Sequence, residues 1–165
     1  MTYQEIYRQA YRILNHTTPL EVDCGQLCGA RCCLSEGEEE SGMYLFPGEE
    51  VMFRGAGDWV RIEDSDFVSG GKSVPILFCR PPCPRELRPL ACRIFPFIPY
   101  FKNGTLEIIK DPRARGMCPL FWAEEEQFSA QFRKKTEYMC RFLLRFPVFR
   151  QYFADLTEIL DSCVL

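Results

Sequence analysis

The chain has 165 residues, 47% hydrophobic and 14% aromatic, which suits one domain whose core needs no cross-links. Its formal net charge of -3 supplies no basic face for nucleic acid, and no apolar run reaches the ~20 residues of a membrane span. Neither nucleic acid nor a membrane is therefore expected as a partner.

Taken in chain order, Thr2-Tyr3-Gln4-Glu5 is a capping box, and behind it Tyr3, Ile6, Tyr7, Ala10, Tyr11 and Leu14 recur at helical spacing. This predicts an amphipathic helix ending before Pro19. Glutamate and arginines are scattered through residues 1–14, so no secretory signal is read there and a cytoplasmic protein is expected. His16, the only histidine, falls at the helix end, where a role at the last free carbonyls is expected rather than metal ligation.

Cys24-Gly25-Gln26-Leu27-Cys28-Gly29-Ala30-Arg31-Cys32-Cys33 follows, with glycine after two of its cysteines. Glycines in that position permit the positive φ of a tight loop that turns several sulfurs to one centre. The side chains of adjacent cysteines often point apart, so Cys32 and Cys33 serve different metals or one of them is simply buried. Glu36, Glu38, Glu39, Glu40, Glu49 and Glu50 form an acidic stretch that reads as a solvated loop.

Met43 to Phe46, Val51 to Phe53 and Trp59 to Ile62 are short strands or loop pieces. Ser69-Gly70-Gly71-Lys72-Ser73 lacks the first glycine of a phosphate loop and is expected to be a surface turn. Val74 to Phe78 is a strand leading into Cys79-Arg80-Pro81-Pro82-Cys83-Pro84, where prolines stiffen the cysteine loop. Arg88-Pro89-Leu90-Ala91-Cys92-Arg93-Ile94-Phe95-Pro96-Phe97 then sets a cysteine between two arginines and two prolines.

Phe97 to Phe101 and Thr105 to Ile109 are joined by Asn103-Gly104, a strong hairpin signal, and strand pairing would carry Cys118 back toward Cys92. Glu124-Glu125-Glu126 opens a helix with Phe128, Phe132, Met139, Phe142 and Leu143 near one face, Pro147 breaks it, and a last helix follows. Cys140 and Cys163 stand alone in these helices as ordinary thiols. The expected fold is α+β: a small single domain over residues 1–165, with terminal helices packed on a cysteine-rich loop core containing a short β-hairpin, and more helix than strand. Its metal-binding region would span about 24–119 and its helical part about 121–163.

Ten cysteines in a chain without a secretory signal point to metal chemistry rather than disulfides. The candidate ligands are Cys24, Cys28, Cys32, Cys33, Cys79, Cys83, Cys92 and Cys118. Arg88 and Arg93 are expected to donate to the sulfurs and offset thiolate charge. Four thiolates suit zinc or an iron-sulfur cluster equally well, and zinc is the commoner outcome for knuckle-like loops. Thiol exchange is disfavoured because no C-x-x-C occurs, and radical chemistry because 165 residues fall short of a barrel of ~200 or more.

The motifs resemble the CxxCxxCC family, described as zinc- or iron-chelating domains. Cys24, Cys28, Cys32 and Cys33 are similar to its opening cluster, and Arg88 to Phe97 to its RPxxCRxFPF segment. Here three residues, not two, separate the early cysteines. The resemblance implies a metal-chelating protein, with an iron-sulfur enzyme, or an accessory protein of a methylation-type modification system, as the alternative.

Overall fold

The computed structural model describes residues 1–33, 42–80 and 85–163. The fold is α+β, with helical residues outnumbering strand residues. Helix α1 (Tyr3–Ile13) starts at the expected capping box: Thr2 Oγ1 accepts the Glu5 N–H at 3.3 Å and Glu5 Oε2 accepts the Thr2 N–H at 2.8 Å. Ile6, Tyr7 and Ala10 are buried, and the Tyr7 hydroxyl donates to the Pro47 carbonyl at 2.8 Å. Tyr3, expected on the core face, is exposed, but its ring covers Gly48. Gly48 holds φ +77°, and a Cβ there would meet the Tyr3 ring at 2.4 Å. Gly48→Ala is therefore expected to cost about 1–2 kcal/mol through the left-handed backbone alone, read as a lower urea midpoint at unchanged slope.

Strands β1 (Gly42–Tyr44), β2 (Val60–Ser69) and β3 (Lys72–Cys79) form an antiparallel sheet in the order β1-β3-β2. Its β2–β3 hairpin turns at Gly70 and Gly71, with φ of 56° and 77°. That bears out the surface turn but adds a hairpin beyond the one expected. Arg61, Glu63, Asp64 and Asp66 masked β2, because its solvent side is charged. The run Val51 to Phe53 is not a strand: Glu49–Phe53 is a 3-10 turn that seats Phe53 with Leu45 and Leu77 in a small second core.

The expected hairpin forms from β4 (Phe97–Lys102) and β5 (Thr105–Lys110), with Asn103 and Gly104 at φ of 52° and 76°. Helix α4 (Ala130–Leu143) is capped by Ser129, and Glu125–Gln127 is a separate 3-10 turn rather than its opening. Pro147 sits at the first position of helix α5 (Pro147–Ser162), where a missing N–H costs nothing. Phe132, Met139, Leu143, Phe149, Tyr152, Phe153, Leu156 and Leu160 are buried. Helix α5 lies on β4, where Thr157 Oγ1 accepts the Phe101 N–H at 2.8 Å. Among the described residues, no helix is long and apolar enough to cross a membrane.

Candidate metal centre

Cys24 to Cys33 fold as one helical turn, α2 (Gly25–Cys28), followed by a 3-10 turn at Arg31–Cys33. Of the two glycines expected to supply positive φ, only Gly29 does so, at 63°. Gly25 lies inside α2, where Asp23 Oδ1 accepts its N–H at 3.1 Å. The left-handed residue at 29 reverses the chain and brings Cys32 back beside Cys24 and Cys28, as their charge coupling described below requires.

The central motif forms helix α3 (Leu90–Ile94), entered through Pro89 at φ -63°. Leu90 and Ile94, one turn apart, are buried, while Cys92 is half-buried on another face. Cys79 ends β3, the strand at the centre of its sheet. Cys118 is delivered by the β4–β5 hairpin and by the 3-10 turn Pro112–Gly116. Buried Asp111 caps that turn, and Arg113 grips both of its carboxylate oxygens, at 2.9 Å and 2.8 Å.

These elements bring Cys24, Cys28, Cys32, Cys33, Cys79, Cys92 and Cys118 to the wall of one cavity of about 620 Å³. Cys83 lies outside the described residues, as do Glu36, Glu38, Glu39 and Glu40. No disulfide joins the nine described cysteines to one another. Cys140 is fully buried and Cys163 exposed, and neither lines the cavity. His16 does line it, with φ 54°, so its place is the cavity wall; helix α1 is closed instead by the Leu14 N–H.

Burial and the charges of Cys32, Asp23, Cys118 and Cys28 push the Cys24 thiol up to about 11. Cys118 is also raised, by burial first and by Cys32 and Cys28, against the opposing N–H groups of Leu120 and Phe121. Cys118 is thus coupled to the first cysteine group, whereas the hairpin had suggested only a return toward Cys92. Among the described residues, no three His, Cys, Asp or Glu side chains are set as a ready ligand group. The thiols stand around the cavity near enough to repel one another as thiolates, without converging on a point. In number and softness they fit a thiophilic metal.

Arg88 and Arg93 also line the cavity. Arg93 Nε donates to the Arg88 carbonyl and its Nη2 to the Glu86 carbonyl, both at 2.7 Å, and its guanidinium lies 4.1 Å from the Tyr11 ring centroid. These contacts stiffen the approach to α3.

The reading of Glu49 as part of a solvated loop is corrected by the structure: it is 0% exposed. Its Oε1 accepts the Leu90 N–H at 2.7 Å and the Tyr11 hydroxyl at 2.8 Å, and its Oε2 accepts the Phe46 N–H at 3.1 Å. The sequence signal that could have found it is Leu45-Phe46 just before and Val51-Met52-Phe53 just after, an apolar frame unlike that of the other glutamates. Trp59, Trp122 and Met43, on the cavity wall, were likewise not singled out. No family model matches the chain, and neither a curated protein nor a solved structure does.

Proposed function

We propose that the protein binds a thiophilic metal, zinc or iron, through its cavity cysteines, and that it belongs with the CxxCxxCC chelating domains its motifs resemble. One observation carries this reading: seven cysteines from separate segments line a single cavity. A mere excess of cysteine would scatter thiols through the core, as Cys140 is placed. Gathering soft donors from distant parts of a chain around one cavity is the first requirement of a thiolate site. Thiolate ligands persist in a reducing compartment, and the cytoplasm is the one that suits this reading. Zinc is the first choice for turn-borne cysteines, and as a closed four-sulfur site it would be structural.

The cavity also favours a second reading, an iron-sulfur enzyme or an accessory protein of a modification system. At about 620 Å³ it lies within the ~300–1,000 Å³ range of small-molecule sites and exceeds what one or two ions fill.

Anaerobic purification with elemental analysis tests the reading. Zinc gives colourless protein with at least one metal per chain, whereas a broad band near ~400 nm marks an iron-sulfur cluster. Protein that holds no metal even after zinc or iron is supplied to the reduced chain would sink the proposal. Cys140→Ser and Cys163→Ser are expected to leave metal content unchanged, because neither thiol reaches the cavity.

A further inference from the structure

We propose that Glu49 is the positioning residue for Cys92: its buried carboxylate anchors the first N–H of α3 and so fixes where the following turn presents its thiol. The claim that this anchor serves a metal rests on the functional reading above; the claim that it positions Cys92 does not.

Glu49 bridges three parts of the chain. Through Oε1 it holds Leu90 and Tyr11, and through Oε2 the Phe46 N–H, at the distances given above. Leu90 opens a helix of only five residues, too short to hold its own shape. Two residues on stands Cys92, on the cavity wall. Tyr11 closes the arrangement from the other side, because Arg93, the neighbour of Cys92, lies over its ring.

A carboxylate is suited to this task. Once the carboxyl is ionised, charge-assisted bonds from N–H groups are roughly twice as strong as neutral ones, and its two oxygens accept three donors without competition. A solvated glutamate would do none of this. Isolating a carboxyl so completely is costly unless hydrogen bonds compensate, and here one comes from the first N–H of α3 and another from Tyr11, whose ring lies under Arg93.

The test measures alkylation of individual cysteines by iodoacetamide in the reduced, metal-free protein, read by peptide mass spectrometry. Glu49→Leu preserves bulk and removes both acceptor oxygens, and with them all three hydrogen bonds. The Cys92 rate relative to Cys24 is expected to rise about tenfold or more as α3 opens locally. Cys140, buried in α4, reports global unfolding. Should it also react, Glu49→Gln is read instead. Its neutral amide oxygen accepts more weakly and its NH2 confronts a backbone N–H, so the same ratio should rise at least about threefold. An unchanged ratio of Cys92 to Cys24 in the folded variant overturns the assignment.

Titration with Co2+ alone supplies the second readout, through thiolate-to-cobalt absorption. Glu49→Leu is expected to weaken Co2+ binding by about 10–100-fold, as loss of a supporting contact behind a metal ligand does. Wild-type affinity in a variant with loosened Cys92 overturns the link between anchor and metal. Absence of any cobalt-thiolate band in the wild type would instead overturn the functional reading, while alkylation still decides the role of Glu49.

Discussion

Cys92→Ser is expected to weaken zinc binding roughly a hundredfold. A structural zinc site contributes about 10–16 kcal/mol, and one of four ligands carries about a quarter of that, near 3 kcal/mol. Serine keeps the shape of the side chain but offers a hydroxyl that does not ionise at neutral pH and a harder oxygen donor. Because the site does not exist in the unfolded chain, the same loss appears as stability, and the zinc-loaded variant should melt lower. Competition against a chromophoric chelator measures the first effect and thermal denaturation the second. Cys92→Ser with wild-type zinc content would remove Cys92 from the ligand set.

Glu49 carries the second large effect, in the dependence of stability on pH. Burial pushes its carboxyl up to about 7 from an ordinary 4.5, and the bonds from Leu90, Tyr11 and Phe46 together with the charge of Arg93 only partly oppose that rise. A folded pKa above the unfolded one means that the native state holds the proton more tightly between these values. The contribution to stability is complete below about 4.5 and is lost as pH rises through about 7. At 1.36 kcal/mol per unit this amounts to about 3 kcal/mol. Tyr7 and Tyr152, which also face Glu49, have pKa values raised far above this window. Glu5 and Asp161, with lowered values, act in the opposite sense and at more acid pH.

Urea unfolding of wild type and Glu49→Gln at matched pH, both metal-free and with their cysteines alkylated only after unfolding, measures this effect with no metal contribution to separate. The wild type should lose stability relative to the variant between about pH 4.5 and 7. A flat difference would show that the hydrogen bonds outweigh burial and that the carboxyl stays ionised.

The first helix, the Asn103-Gly104 hairpin and the two last helices were legible because each is written locally, in a capping box, a turn dipeptide or a 3.6-residue period. The β2–β3 hairpin was not, because Arg61, Glu63, Asp64 and Asp66 erase its alternation and the strand draws its order from pairing with β3. The cysteines drew attention by type and clustering alone. Their grouping did not, since the coupling of Cys118 to Cys24, Cys28 and Cys32 follows from where the 3-10 turn after β5 releases the chain. Glu49 was misread for a general reason: charge runs predict solvent, and only tertiary structure shows which member of a run is drawn inward.

The cavity is assembled from segments spread from the turns after α1, through β3 and α3, to the stretch that follows the β4–β5 hairpin, and this imposes an order on biosynthesis. At ~5–20 residues per second, roughly 5–20 s pass between the appearance of Cys24 and that of Cys118 at the ribosome. Throughout that interval the early thiols belong to a nascent chain that lacks the rest of its cavity wall. On the metal-binding proposal, any ion captured then would be held by an incomplete set and would exchange readily. Helix α5 emerges later still, and with it the packing that steadies β4. On the metal-binding proposal, metal selection would accordingly be a property of the completed fold, governed by the ions available once the cavity wall is whole rather than by those encountered during translation.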